Sequence, residues 1–278
     1  MLNQLLRKTR DVVLRPEPML ALYLKTRYGA NRPAEKPRVN WENHALSSRQ
    51  QWQEAAAQVR RLGLPPHPSP AKNWDSLAAL HAILSSTTAS AIVLDAGGEK
   101  YSQILPWLYL YGYRNLTCIN LSFAGPARWG PISFEPGDIT RTRFANASFD
   151  AVTCLSVIEH GVDVGAFLAE TRRILKPGGI LALSMDYYPE PIDTRQGRAF
   201  GAPLHIFDER EATSILETAA VLGLRPTSPV QLACSEKAVH WEQVNLDFSY
   251  LTMTLRKQEQ GQGHGYEIGD RPALLSQT

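Results

Sequence analysis

The stretch 93–108, VLDAGGEKYSQILPWL, sets a carboxylate, Asp95, near the end of a branched apolar run and follows it with Ala96, Gly97 and Gly98 before an apolar helix begins. A carboxylate in that place can accept hydrogen bonds from an amine, a water or a hydroxyl. Adjacent glycines let backbone N–H groups approach a ligand with no Cβ in the way. The plain alternative is a tight strand-to-helix turn, and the dinucleotide fingerprint G-x-G-x-x-G does not follow the strand. Two histidines are candidate bases, because imidazole titrates near neutral pH: His160 in SVIEHGVD and His205 in APLHIF. Their alternatives are a loop histidine bonded to the backbone and a packed residue beside Phe207. Glu159 reads as a structural acid at the rim. Tyr187 and Tyr188 could wall a pocket, with one of them in the core, while Arg195 and Arg198 could bind an anionic group such as a phosphate or sugar carboxylate. No metal-ligand constellation is apparent.

These residues need elements to hold them, and the middle of the chain alternates strand and helix. AIVLDA (91–96), LTCINLS (116–122), a segment within SFDAVTCLSVIEH (148–160) and GILALSMDYY (179–188) read as strands. Apolar helices are expected at 102–113 and 163–176, with PGG (177–179) as a turn before the last of those strands. Continuous apolar strands separated by helices imply a parallel sheet covered on both faces. After a helix at 209–224, VQLACSE and FSYLTMTLR read as two strands with no helix between them, hence antiparallel at the sheet edge. Ligands of such sheets sit beyond the carboxyl ends of the strands, where the strand order reverses.

With 278 residues, 44% of them apolar, the chain can bury an α/β core. The longest apolar runs, such as MLALYL (19–24), fall well short of a membrane span, and no secretory pattern precedes them, so a cytoplasmic protein is expected. Three cysteines, Cys118, Cys154 and Cys234, lie far apart, each in a segment that reads as strand, and suggest reduced thiols. A net charge of +2 argues against a nucleic-acid binder. Residues 1–38 nevertheless carry nine Lys/Arg against three acids, a local +6. This arm could dock on an anionic membrane surface or a partner, or pack by one face on the main domain. With the helices expected in 1–90 it forms an N-terminal basic arm and helical cap, ahead of a domain at 91–256 and an expected mobile tail at 257–278.

In order, VLDAGG, CINLS, GDI (137–139), SFDAVTCLSVIEH, RRILKPGG and ILALS together resemble the class I S-adenosylmethionine-dependent methyltransferases over residues 91 to 255. The run at 186–209 resembles the bacterial members that modify small molecules and glycans. The resemblance implies a doubly wound α/β fold: a mostly parallel seven-stranded sheet with an antiparallel final strand. It implies S-adenosyl-L-methionine as cofactor, with Asp95, Ala96, Gly97 and Gly98 under the methionine moiety. It also implies Asn120 and Leu121 at the ribose, Asp138 and Ile139 flanking the adenine, and Ser156 near the methionine end. Two positions depart from the family pattern. Glu99, Lys100 and Tyr101 follow the glycines where small residues are usual, and Asn120 stands where an acid usually takes both ribose hydroxyls. An amide can accept one hydrogen bond and donate another, without the strength of a carboxylate. Glu99 offers a second anion near the cofactor, or pairs with Lys100 in solvent. If methyl transfer takes place there, His160, which follows the fourth strand at the rim, is the first candidate catalytic base and His205 the second, with Tyr187, Tyr188, Arg195 and Arg198 the candidate acceptor contacts.

Three classes of function follow. The first is methyl transfer to a hydroxyl or amine of a small molecule or sugar. The second is a cofactor-binding, non-catalytic homologue serving as a partner or regulatory subunit. The third, a nicotinamide-dependent oxidoreductase, is disfavoured by the missing glycine fingerprint.

Overall fold

The computed structural model describes residues 9–194, 197–199 and 201–259. A helical stretch at 9–13 leads into α1 (Glu17–Tyr28), α2 (Arg49–Arg61) and α3 (Lys72–Ser86). There follow β1 (Ile92–Ala96), α4 (Ile104–Leu110), β2 (Asn115–Asn120), β3 (Ala127–Trp129), β4 (Ile132–Pro136) and β5 (Phe149–Leu155). Next come α5 (Val164–Ile174), β6 (Leu175–Tyr187), a small hairpin of β7 (Arg198–Ala199) and β8 (Ala202–Pro203), and α6 (Glu209–Val221). The described chain closes with β9 (Leu224–Pro226), β10 (Val239–Trp241) and β11 (Leu246–Lys257).

Among the described residues, nine strands form one sheet in the order β10-β11-β6-β5-β1-β2-β4-β3, with β9 also paired to β11. The fold is the expected α/β arrangement, but the strands number nine rather than seven. Three of them, β3, β9 and β10, are only three residues long, too short to show a hydrophobic period in sequence. Strands β6, β5, β1, β2 and β4 run parallel, and β11 lies antiparallel on β6 from Ser249↔Tyr187 to Arg256↔Ile180. The chain moves outward from β1 in one direction through β2 and β4 and in the other through β5 and β6. The order therefore reverses between β1 and β5, and a crevice opens at their carboxyl ends.

Side-chain chemistry sets the helix ends. Asp163 accepts from Ala166 N to start α5, and Asp208 and Glu211 make a reciprocal capping box on α6. Gly29, at φ 66°, closes α1 with its N–H on the Lys25 carbonyl. One face of the sheet carries Trp74, Leu77, Leu80 and Ile83 of α3 together with Trp107 and Leu108 of α4. Phe167, Leu168 and Ile174 of α5 and Ala212 and Ile215 of α6 cover the other.

Three sequence expectations are corrected. VQLACSE is not a strand: Gln231 alone forms an isolated bridge to His44, its N–H on Asn43 O at 2.8 Å. That edge is satisfied by residues 43–45 rather than by a neighbouring strand, so Cys234 lies in a loop. The edge partner of β11 is instead β10. PGG is no separate turn but a bulge inside β6, where the pairing with β5 shifts register between Phe149 and Ala151.

The described part of the basic arm packs on the domain. Leu14, Leu20 and Leu24 are buried, Arg10 stacks over Trp129, and Asp11 joins Lys100 at 2.6 Å and Trp129 Nε1 at 2.9 Å. Val12, Val13, Met19 and Leu22 remain on the exposed side. Residues 1–8, and the part of the expected tail from 260 onward, lie outside the described residues. No helix among the described residues is long and apolar enough to cross a membrane.

Candidate active site

One residue before the end of β1 stands Asp95, which is 2% exposed and accepts a hydrogen bond from Thr153 Oγ1 of β5 at 2.8 Å. Burial pushes its carboxyl up to about 6, against the opposing pull of that hydroxyl. The glycines that follow are both required. Gly97 has φ 84° and a Cβ there would lie 2.4 Å from Val157 Cγ1, while a Cβ on Gly98 would lie 1.9 Å from Asp95 Oδ2. This loop thus folds back over its own carboxylate, which only residues without side chains allow.

Asn120, at the end of β2, does not hold its amide free. Its Nδ2 donates to Gly97 O at 2.8 Å and Gly98 O at 3.1 Å, and its Oδ1 accepts from Ser122 N at 2.8 Å. The amide is a brace for the glycine loop. Beside it, Glu99 Oε1 accepts from Ser122 Oγ at 2.7 Å, which brings a carboxylate to the end of β2 from the neighbouring loop. Asn120→Asp is accordingly expected to lose two donors and to set an anion against two carbonyls and Glu99. It should destabilise the fold by about 1 to 3 kcal/mol, and more than Asn120→Ala does, in urea unfolding at neutral pH. A variant with aspartate as stable as the parent would refute the brace.

Beyond the loop lies a cavity of about 300 Å³ lined by Asp95, Gly97, Gly98, Glu99, Ser156, Glu159, His160 and Asp186. Its remaining wall comes from outside the strand ends: His67 and Lys72 from before β1, and Trp241, Phe248 and Tyr250 from β10 and β11. Lys72 at the start of α3 donates to both Asp75 and Ser156 Oγ and lies 4.6 Å from the Tyr250 ring centroid. Ser184 of β6 donates to Asp75 Oδ2 at 2.6 Å, so α3, β5 and β6 are tied by one buried polar network. Burial raises Glu159, and it raises Asp186 well above the carboxylate range with the Glu159 charge adding to it. Burial lowers His67 to about 4, helped by Lys72, and lowers His160 for the same two reasons. Both imidazoles are neutral at pH 7.

The expected site residues divide by location. Asp95, Gly97, Gly98, Ser156 and His160 converge on the cavity, with Ala96 buried in β1 beside them. Leu121, Asp138 and Ile139 lie past the ends of β2 and β4, outside the cavity wall. Leu121 is 77% exposed, Asp138 Oδ1 is taken up by Thr140 N and Oγ1, and Ile139 is buried. Tyr187 is a core residue with its hydroxyl on Leu232 O at 2.9 Å. Tyr188 faces Lys237, its ring centroid 4.9 Å from the ammonium. His205 pairs with Glu211 Oε2 at 2.9 Å on an exposed surface, stacked edge-on against Phe207. Arg198 is exposed and donates to Gly201 O. None of these last four lines the cavity, and Arg195 lies outside the described residues. Sequence reasoning did not single out Lys72, Asp75, His67, Asp186 or Tyr250. The one signal was KNWDS, a polar run opening an otherwise apolar helix.

The strand reversal, the glycine loop and a cavity at the strand ends define a Rossmann-like domain built to take a small ligand. Residues 94–183 match a family described as "Methyltransferase domain". A protein of Mycolicibacterium smegmatis named "Probable S-adenosylmethionine-dependent methyltransferase" is 35% identical over 98 residues, 34% of this chain and 36% of that protein. The chain thus spans about a third of that curated relative's length. Among solved structures, the Burkholderia thailandensis 1,6-didemethyltoxoflavin-N1-methyltransferase with bound S-adenosylhomocysteine aligns over 82% of this chain and 94% of that one, at 20% identity and a TM-score of 0.50. The [4+2]-cyclase SpnF aligns over 87% and 97%, at 15% identity and a TM-score of 0.54. The two structures share the fold. The match to a methyltransferase domain covers residues 94–183, the segment that carries the glycine loop and Ser156.

Proposed function

We propose that the protein transfers a methyl group from S-adenosyl-L-methionine to a hydroxyl or amine of a small molecule or sugar. One observation carries this reading: the matched segment holds the glycine loop and Ser156, which meet at a cavity large enough for the reacting end of a donor and part of an acceptor. The residues suit a cationic ligand, since buried carboxylates surround the space. Bound there, the cofactor supplies a methyl group already activated on a sulfonium.

The chain's own residues then have positioning work to do. Gly97 and Gly98 admit close backbone approach, braced by Asn120. Glu99 supplies the carboxylate at the end of β2, where the family resemblance puts the ribose hydroxyls, in place of the amide that Asn120 spends on the loop. Exposed Leu121 offers apolar surface next to it. His160, neutral at pH 7 and on the cavity wall, can hold the proton of an acceptor hydroxyl.

Calorimetric titration with S-adenosylmethionine and with NAD tests the proposal. Binding of the first and not the second is expected, and Glu99→Gln should weaken it about tenfold or more, the loss of a charged hydrogen bond. No binding of S-adenosylmethionine would sink the reading. A second reading, a cofactor-binding homologue serving as a partner or regulatory subunit, draws on the engaged amide of Asn120. Tight cofactor binding without turnover on any hydroxyl or amine acceptor would favour it. A cytoplasmic setting belongs to the same proposal and is supported by three free cysteines, two of them buried. Docking of residues 1–38 on an anionic surface is a further part, supported by their local +6 charge and testable by salt-sensitive binding to anionic vesicles.

A further inference from the structure

The cavity is lined by two buried acids, Glu159 and Asp186, whose charged forms burial disfavours and the Lys72 charge only partly supports. Glu159 is 0% exposed and Asp186 4% exposed, and both line the cavity. Asp186 and Ser156 come near enough to Glu159 to influence its titration, yet neither Oε atom of Glu159 receives a hydrogen bond of acceptable geometry. The cation nearest to them is already committed, because Lys72 pairs with Asp75 and donates to Ser156. The histidines on the wall do not supply a second one. His67 and His160 are pushed toward the neutral form, and His240 is paired with Asp247 at 2.9 Å. A buried acid with unused acceptor oxygens calls for a partner.

We propose that Glu159 and Asp186 form a binding site for the ammonium group of a cationic amine, which makes an amine the acceptor class of the transferase reading on which this inference rests. On transfer the ammonium would give one proton to a carboxylate of the pair, and the freed nitrogen lone pair would take the methyl group as the carbon–sulfur bond of the donor breaks. An ammonium brings positive charge and up to three N–H donors, which the Glu159 oxygens lack. A hydroxyl brings one donor and leaves the charge in place. The aromatic walls point the same way: Trp241, Phe248 and Tyr250 line the cavity together with the two acids. Aromatic faces attract organic cations and accommodate their apolar substituents. A metal ion is a poorer fit, since no group of three or more His, Cys, Asp or Glu among the described residues could hold one.

The test uses a matched pair of probes of one shape, benzylamine as its ammonium and benzyl alcohol. Each is titrated into the full chain saturated with S-adenosylhomocysteine and followed by ligand-observed NMR. The amine is expected to bind about tenfold or more tightly than the alcohol, the difference made by hydrogen bonds to charged groups. Glu159→Gln should abolish that preference without lowering the melting temperature, and Asp186→Asn provides a second variant should the first fold poorly. Equal binding of the two probes, a preference for the alcohol, or binding of neither would overturn the proposal. So would displacement of the amine by S-adenosylhomocysteine, which would give the acids to the donor's own ammonium. Failure of the wider reading looks different: S-adenosylhomocysteine itself would not bind, while the amine preference could still be measured on the unloaded chain.

Discussion

Lys72→Met is expected to lower the unfolding free energy by about 3 to 5 kcal/mol at neutral pH, as breaking a buried ion pair from one side does. The pair is well buried, with side-chain exposures of 13% for Lys72 and 0% for Asp75. Methionine keeps most of the apolar stem and loses the ammonium that sits over the Tyr250 ring and pairs with Asp75, so the loss is chiefly electrostatic. Its dependence on pH follows from the neighbours. Glu159 and Asp186 titrate above the ordinary range in the fold, and the Lys72 charge pulls both down. Without that charge both rise further. A carboxyl raised in the folded state contributes stability that is complete below the unfolded pKa, about 4, and lost as pH rises through the folded value. The deficit of Lys72→Met therefore shrinks toward pH of about 4 and is largest at neutral pH. Adding Asp75→Asn should recover more than half of it, because the partner left behind no longer carries a charge. Urea unfolding across pH checks both. A deficit constant with pH and indifferent to Asp75→Asn would mean that Lys72 acts through packing alone.

This network also explains how much of the site was legible in sequence. Asp95, Gly97, Gly98, Ser156 and His160 were legible because each follows a continuous apolar run, and strand ends in a parallel sheet face one crevice. Lys72 and Asp75 were not. They sit on a helix before the first sheet strand, and Asp75 meets Ser184 across 109 positions of chain. Nothing local announces such a pairing, although a polar KNWDS opening the apolar LAALHAIL marks a helix start that must satisfy its charges somewhere. The fold shows the same division. Strands β1, β2, β5 and β6 have branched apolar runs that periodicity detects, whereas β3 and β10, three residues each, form on the edges that β4 and β11 offer them. VQLACSE has strand composition but is satisfied by Asn43 and Ala45, a tertiary choice that local propensity does not encode. Asn120 is a subtler case. Its type suggested a weakened ribose contact, and only geometry revealed the amide spanning two glycine carbonyls.

Asp95→Asn should raise stability at neutral pH and weaken cofactor binding at once. In the fold, burial moves the Asp95 carboxyl up to about 6, against about 3.9 in the unfolded chain. A displacement of about two pKa units corresponds to about 2.7 kcal/mol. The sign is fixed by proton binding: between the two values the folded chain holds the proton and the unfolded chain does not, so stability falls as pH rises from about 4 through about 6. Asparagine does not ionise, and its Oδ1 can still accept from Thr153. The variant should match the parent below pH of about 4 and exceed it by up to about 2.7 kcal/mol above pH of about 7. On the proposed function, a cationic ligand would use this buried carboxylate, at the expense of stability. S-adenosylmethionine binding to the parent should therefore release a proton near pH of about 6, where Asp95 is half protonated, and binding to Asp95→Asn should release none from this position. Calorimetry in two buffers of different ionisation enthalpy measures that difference. Equal proton release by parent and variant would separate Asp95 from the ligand and leave it a structural acid beneath the glycine loop.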